Sequence, residues 1–96
     1  MDLTILIPVK NEEDNISNII DNIEKKLFNI NYEVLFVNDF STDKTVEIIN
    51  NYKNLKKNID IVHNKKIGLG ETIKNGIKFS KGKYISIIMC AGSDDI

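Results

Sequence analysis

Leu3 to Val9 form a near-continuous apolar, β-branched run that ends at Pro8 and a polar cluster, the pattern of a strand covered on both faces. Behind it, Ile16, Ile19, Ile20, Ile23 and Leu27 recur at three- and four-residue steps, which predicts a helix with one inward stripe. Asn11 or Asp14 is placed to cap that helix, and Glu12, Glu13 and Asp14 suit its positive start. The Asn29-Ile30-Asn31 segment turns the chain into a second buried-strand run, Tyr32 to Val37. Ser41 or Thr42 then caps a second helix whose inward side carries Val46, Ile49, Tyr52 and Leu55. A short third strand is predicted over Ile59 to His63, and a third helix carries Leu69, Ile73 and Ile77, closed by Gly82 as a left-handed cap. Tyr84 to Ala91 is the last strand.

Strands alternating with crossover-length helices call for an α/β fold: a Rossmann-like open parallel sheet in the order β-α-β-α-β-α-β. The strand ends should open toward one rim, and function should sit there. No repeat, low-complexity tract or linker interrupts the pattern, so residues 1–96 read as one domain. The chain stops just after the fourth strand with no covering helix, so the expectation is an incomplete, N-terminal half of a larger domain. Its open sheet would be covered by further chain, a partner chain or a homo-oligomer.

Composition removes several classes. The net charge is −1 and all 13 cations are scattered lysines, which offers nucleic acid no basic field. The single Cys90 can form no internal disulfide and has no second Cys at metal-ligand spacing, which argues against zinc and for a reducing, cytoplasmic setting. No basic segment precedes the first apolar run, so no secretory signal is visible. No stretch approaches the ~20 apolar residues that span a bilayer.

Chemistry concentrates at two strand ends, Ile7-Pro8-Val9-Lys10-Asn11-Glu12-Glu13 and Phe36-Val37-Asn38-Asp39-Phe40-Ser41-Thr42-Asp43, followed by the Gly68-Leu69-Gly70 loop. In this order and spacing they resemble the donor-binding half of family 2 glycosyltransferases with the GT-A fold, and the dolichol- or polyprenyl-phosphate sugar transferases in particular. The likeness covers almost the whole chain, so the expected fold is a truncated GT-A nucleotide-sugar-binding half. Such enzymes move a sugar from a nucleoside diphosphate to an acceptor hydroxyl or lipid phosphate. The resemblance therefore implies a UDP- or GDP-type donor, a polyprenyl-phosphate or saccharide acceptor, and work in the cytoplasm, peripheral at the membrane face.

The family's first run reads Ile-Pro-Val-Tyr-Asn-Glu-Glu, and here Lys10 replaces the tyrosine. The resemblance places Pro8, Val9 and Lys10 against the nucleoside and Glu12 near its ribose or base, whose hydroxyl and N–H groups are donors. The plain alternative for Glu12 is a helix cap. The second run usually reads Val-Asp-Asp-Gly-Ser-Thr-Asp, so Val37 and Asp39 match, Asn38 replaces the first aspartate, and Phe40 replaces a glycine. Asp39 would accept a hydrogen bond from the ring N–H of uracil or guanine. Phe40 would crowd the loop if that position needs a positive φ. Lys66, with the backbone of Gly68 and Gly70, matches a basic loop that receives the diphosphate, where an ordinary turn is the alternative.

At the fourth strand end the family holds Mg²⁺ or Mn²⁺ on Asp-x-Asp, and here Cys90-Ala91-Gly92 stand in those places. Ala91 falls beside the donor. Asp94 and Asp95 are the remaining candidates for a weakened metal site, against the reading of a solvated loop, while Cys90 reads as a buried strand-end thiol. His63 shows no partner in the sequence and reads as a surface or strand-end residue. The altered metal motif keeps a second class open: a non-catalytic nucleotide-binding module or a degenerate remnant. A nucleotidyltransferase would need a Gly-rich basic loop after the first strand, and a phosphoreceiver would need acidic residues there and an aspartate ending the third. The chain has Val9-Lys10-Asn11 and His63 at those points.

Overall fold

The computed structural model describes residues 1–90. The elements run β1 (Leu3–Val9), α1 (Ile16–Lys26), β2 (Tyr32–Asn38), α2 (Thr45–Leu55), β3 (Ile59–His63), α3 (Leu69–Phe79) and β4 (Tyr84–Ile87). All strand pairs are parallel and the sheet order is β3-β2-β1-β4. The sheet thus grows outward from β1 through β2 to β3, and α3 then carries the chain back to the other side of β1. Right-handed crossovers put connections that advance in opposite directions on opposite faces. The packing obeys this: α1 and α2 cover Ile5, Ile7, Val9, Val34 and Phe36, while Ile73 of α3 covers Leu6, Leu35 and Val37.

β1 and β2 are buried on both faces because they are central, which is why both read as unbroken apolar runs. Phe36, Leu6 and Ile7 are fully enclosed, each such burial stabilising by roughly 1.5–3 kcal/mol. The α3 face also holds polar groups at the start of the strands. Thr4 Oγ1 donates to Glu33 Oε2 at 2.5 Å, the Lys81 N–H donates to the same oxygen at 2.7 Å, and the Gly82 N–H donates to Thr4 Oγ1 at 2.8 Å. These bonds satisfy the buried Glu33 and dock the α3–β4 connection against β1.

Several local expectations change. Gly82 is not a left-handed cap: α3 ends at Phe79 with Ser80 as its C-cap, and among the described glycines only Gly68 has a positive φ. Position 82 needs glycine for proximity, since a Cβ there would lie 2.4 Å from the Thr4 backbone nitrogen. β4 ends at Ile87, short of Ala91, which lies outside the described residues. The α1 N-cap is Asn15, so neither Asn11 nor Asp14 caps it, and no acidic residue sits in its first turn. For α2 the N-cap position is Lys44, and Asp43 does the capping chemistry, with Oδ1 accepting the Thr45 N–H at 2.9 Å in place of Ser41 or Thr42.

Leu55 is exposed because, six residues past Ile49, it stands about two-thirds of a turn from the inward stripe. Ile77 is exposed, as are Ile85 and Ile87 on the edge strand β4. Leu69, the first residue of α3, is exposed as well. No helix among the described residues is long and apolar enough to cross a membrane.

Candidate functional site

The reversal of sheet order between β1 and β4 creates a crevice at the carboxyl ends of the strands, the position where open α/β sheets take ligands. A cleft of about 180 Å³ lies there, lined by Pro8, Val9, Lys10, Glu12, Asp39, Leu69, Thr72, Met89 and Cys90. Complete small-molecule pockets run to roughly 300–1,000 Å³, so this cleft suits one part of a nucleotide, such as its base.

Its walls are held by stitching between the β1–α1 loop and the β2–α2 loop. Asn11 takes φ 55° and projects its carboxamide across the gap, where Oδ1 accepts the Thr42 N–H at 2.7 Å and the Asp43 N–H at 3.3 Å. Its own N–H donates to Ser41 Oγ at 3.0 Å. The Glu12 N–H donates to the buried Thr45 Oγ1 at 2.8 Å, and the Lys44 N–H donates to Glu13 Oε1 at 2.8 Å. The polar residues that read as helix caps are therefore loop staples. Desolvation works against ionisation of Asp43, but the hydrogen bonds it accepts from Thr45 and Glu13 outweigh it and hold its carboxyl below the usual 3.8.

Glu12 turns into the cleft, with Oε1 accepting from Asn15 Nδ2 at 2.8 Å. Asp39 sits just past β2, anchored by its N–H to the Val9 carbonyl at 2.9 Å. Its carboxylate accepts the Asn64 amide N–H on Oδ1 at 3.2 Å, and the Gly68 N–H lies 3.3 Å from each of its oxygens. Gly68 has φ 131°, a conformation that L side chains rarely adopt, and this aims its N–H at Asp39. Phe40, next to Asp39, does take a positive φ of 59°, and the residue is 44% exposed.

Five of the expected donor contacts, Pro8, Val9, Lys10, Glu12 and Asp39, thus converge on one cleft. Val37 does not line it: its side chain is fully buried beneath α3. Lys66 is exposed and outside the lining, and the Gly68 N–H expected to meet phosphate is spent on Asp39. His63 has a partner after all, with Nδ1 3.1 Å from Asn38 Nδ2. Sequence reasoning missed Leu69, Thr72 and Met89 as lining residues. Thr72 was the detectable one, a polar residue on the inward face of α3 one turn before Gly76.

Burial, aided by the nearby Glu12 carboxylate, pushes the Cys90 thiol up to about 11. Hard divalent cations take oxygen ligands, and Cys90 offers a thiol in their place. Among the described residues no cluster of His, Cys, Asp or Glu suits a metal ion, and Ala91, Asp94 and Asp95 lie outside them.

The profile of Glycosyl transferase family 2 matches residues 4–96. The chain belongs to that family. It is similar to a poly(ribitol-phosphate) beta-glucosyltransferase of Bacillus spizizenii, 35% identical over 99% of this chain and 15% of the relative. A dolichyl-phosphate beta-glucosyltransferase of Dictyostelium discoideum is 27% identical over 97% of this chain and 32% of its own length. Among solved structures, S. aureus TarS 1-349 in complex with UDP superposes with TM-score 0.81 at 24% identity, covering 94% of this chain and 27% of that one. The TarS complex with UDP-GlcNAc gives TM-score 0.77. The family 2 chain has the GT-A type of sheet and spans under a third of the length of these relatives.

Proposed function

We propose that this chain forms the donor-binding half of a glycosyltransferase that takes a UDP-type sugar and serves a polyprenyl-phosphate or saccharide acceptor. The observation that carries the reading is Asp39: a carboxylate fixed at the switch-point cleft, facing Pro8, Val9 and Glu12. A carboxylate there accepts a nucleobase N–H, and Glu12 accepts from base or ribose. The naming of UDP in the TarS complexes supports a uridine donor over a guanosine one.

In the transfer itself an acceptor oxygen attacks the anomeric carbon as the bond to the diphosphate breaks. The exposed Lys10 ammonium at the cleft edge opposes the charge that builds on the leaving group. A Mg²⁺ or Mn²⁺ ion, which the carboxylates of Asp94 and Asp95 have the donor chemistry to hold, would add further neutralisation of that diphosphate. In the family 2 enzymes that this chain resembles, the acceptor site and general base come from sequence after the Asp-x-Asp strand. The uncovered apolar side chains Leu69, Ile77, Ile85 and Ile87 support such a completed domain or a partner chain over that flank. With a polyprenyl-phosphate acceptor, the working place is the cytoplasmic membrane face.

The protonated Cys90 at the metal motif favours a second reading, a module that binds nucleotide without turnover. Calorimetric titration of the full chain with UDP, GDP and UDP-sugars, with and without Mn²⁺, separates them. Metal-strengthened UDP binding that drops at least tenfold in Asp39→Ala supports the donor site, and metal-independent UDP binding supports the module. Absence of nucleotide binding under either condition rejects both.

A further inference from the structure

The charges of this chain are sorted along the strand direction. In a parallel sheet with crossover helices, every helix ends beside the rim where the strands begin, opposite the cleft. Backbone bonds gather that rim. The Asp2 N–H donates to the Asn31 carbonyl at 3.1 Å and the Val34 N–H to the Asn58 carbonyl at 2.7 Å, while the Lys83 and Tyr84 N–H groups donate to the Met1 and Asp2 carbonyls at 3.1 and 3.0 Å. The chain start and the connections after α1, α2 and α3 therefore lie side by side.

More than half of the 13 lysines stand there. α1 ends on Lys25 and Lys26, and α2 on Lys53, followed by Lys56 and Lys57. α3 ends on Lys78, followed by Lys81 and Lys83. Lys53 pairs with Asp60 at 3.0 Å and Lys56 with Glu24 at 2.6 Å, and the others have no ion pair among the described residues. Glu33 is buried and accepts from the Thr4 hydroxyl and the Lys81 N–H, which leaves Asp2 as the exposed acid of these connections. The acids go the other way: Glu12, Glu13 and Asp14 follow β1, Asp39 and Asp43 follow β2, and Glu71 sits in the first turn of α3. A net charge of −1 hides a positive rim.

Helix dipoles favour lysine in a last turn and so account for Lys25, Lys26, Lys53 and Lys78. They do not account for the company those lysines keep. Phe28 is 83% exposed, Leu55 80% and Tyr84 67%, with Met1, Ile30 and Phe79 open as well. The Lys78 ammonium lies 5.5 Å from the centre of the Phe79 ring, and that of Lys83 6.0 Å from the Tyr84 ring. Ammonium groups beside open aromatic and aliphatic side chains make a surface suited to a headgroup layer, with lysines on lipid phosphates and apolar tips at the acyl boundary. A soluble polyanion would leave Phe28 and Leu55 wet. A second copy would set one positive rim against another. Between the helix ends, a recess of about 220 Å³ lined in part by Lys53, Lys56, Lys57 and Lys81 offers room for a phosphate headgroup.

We infer that the rim opposite the donor cleft is a docking surface for an anionic phospholipid bilayer, with Phe28 and Leu55 entering the acyl boundary and Lys57, Lys81 and Lys83 meeting the headgroup phosphates. Docked so, the chain holds its cleft one strand length from the bilayer, roughly 23 Å for the seven residues of β1, and open to soluble nucleotide. On the donor-site reading above, that distance favours the saccharide of the two acceptor classes over a lipid phosphate in the same bilayer. The docking itself does not rest on that reading.

Co-sedimentation of the full chain with vesicles tests it, using phosphatidylcholine alone and phosphatidylcholine mixed equally with phosphatidylglycerol. Binding should appear with the mixed vesicles only and weaken at high salt. A lysine near an anionic surface is worth about fivefold in partition, so Lys57→Glu with Lys83→Glu should weaken binding at least about tenfold. Phe28→Ser with Leu55→Ser should do the same by removing the inserted tips. Lys44→Glu with Lys65→Glu makes the same charge change at the cleft rim and should bind like the parent. Thermal melts follow the folding of each pair.

No binding to the mixed vesicles overturns the inference. An equal loss in the Lys44 and Lys65 pair overturns it too, because net charge alone would then explain adsorption. Loss in the lysine pair with none in the Phe28 and Leu55 pair replaces the bilayer by a soluble polyanion. Concentration-dependent dimers abolished by Phe28→Ser with Leu55→Ser, without vesicle binding, give the face to a second copy. Vesicle binding by a chain that binds no nucleotide removes the donor site and leaves the docking surface standing.

Discussion

Replacing Gly76 by alanine tests how α3 is seated on the sheet. Ordinary helix energetics favour the change, since alanine is better than glycine by about 1 kcal/mol in a helix interior. The packing opposes it. A Cβ at position 76 would lie 2.1 Å from Leu6 Cδ1, 2.6 Å from Cγ and 3.0 Å from Cδ2. Carbon atoms pack at about 3.5–4.0 Å, so helix and side chain must separate by more than an ångström. Leu6 has no accessible surface and sits on a central strand, which leaves it nowhere to rotate. Overpacking of a tight core costs typically about 1–3 kcal/mol, or more where nothing yields. Against the propensity gain, a net loss of up to about 2 kcal/mol follows, or a melting temperature lower by up to roughly 15 °C for a domain of this size.

Urea denaturation followed by circular dichroism measures it, with an unchanged m-value as the check that the unfolding reaction is the same. A cycle with Leu6→Ala sharpens the result. That truncation alone should cost about 2–5 kcal/mol, and the double variant should be at least about 1 kcal/mol better than the sum of the singles because the new methyl fills the space. If Gly76→Ala proves as stable as the parent, or more so, the reasoning fails, because the helix would then be free to lift. Thr72, which lines the cleft, lies one turn before this contact, so a lifted helix would also disturb the cleft wall.

Two other outcomes follow from single residues. Phe40 holds a φ of 59°, which costs an L residue about 1–2 kcal/mol, while 44% of its surface stays exposed. Phe40→Gly relieves that strain but gives up the partial burial and adds glycine's entropy cost, so the urea midpoint should move by less than about 1 kcal/mol, and a larger loss would show that the ring is stabilising the loop. Cys90 should resist iodoacetamide near neutral pH, with its rate climbing about tenfold per pH unit until pH about 11, while the denatured chain should level off near its ordinary thiol range of about 8.5. The same shift has a sign for stability: the folded state favours the protonated thiol, so stability is full below the unfolded pKa and declines as pH rises from there toward 11. A fast neutral-pH reaction of the folded chain would mean that the thiol is neither buried nor protonated as described.

Hydrophobic periodicity by itself determined the element order, the parallel sheet and the rim on which chemistry would lie. Burial of β1 and β2 on both faces writes itself into unbroken apolar runs, and the inward stripe of α1 into its isoleucine spacing. Strand ends in such sheets face one way, which located the two polar runs, and the family resemblance then picked out Pro8, Val9, Lys10, Glu12 and Asp39 within them. Periodicity could not assign the polar residues between elements. Asn11, Glu13 and Ser41 look like helix caps in one dimension, and only the approach of two loops about thirty residues apart turns them into staples.

The Gly68 N–H shows the same limit: the sequence offers it to phosphate, and with β3 beside β2 it lies 3.3 Å from each oxygen of Asp39. Asn64 and Thr72 carry no motif, since their meaning depends on α3 crossing over β2 and β3 at one height. Close approach is the other property that chain order hides: Gly76 and Gly82 are required by atoms of Leu6 and Thr4, about seventy to eighty residues away. Periodicity records which side of an element meets the core, a local consequence of burial. Which donor meets which acceptor depends on how elements are brought together, and that is a property of the tertiary structure.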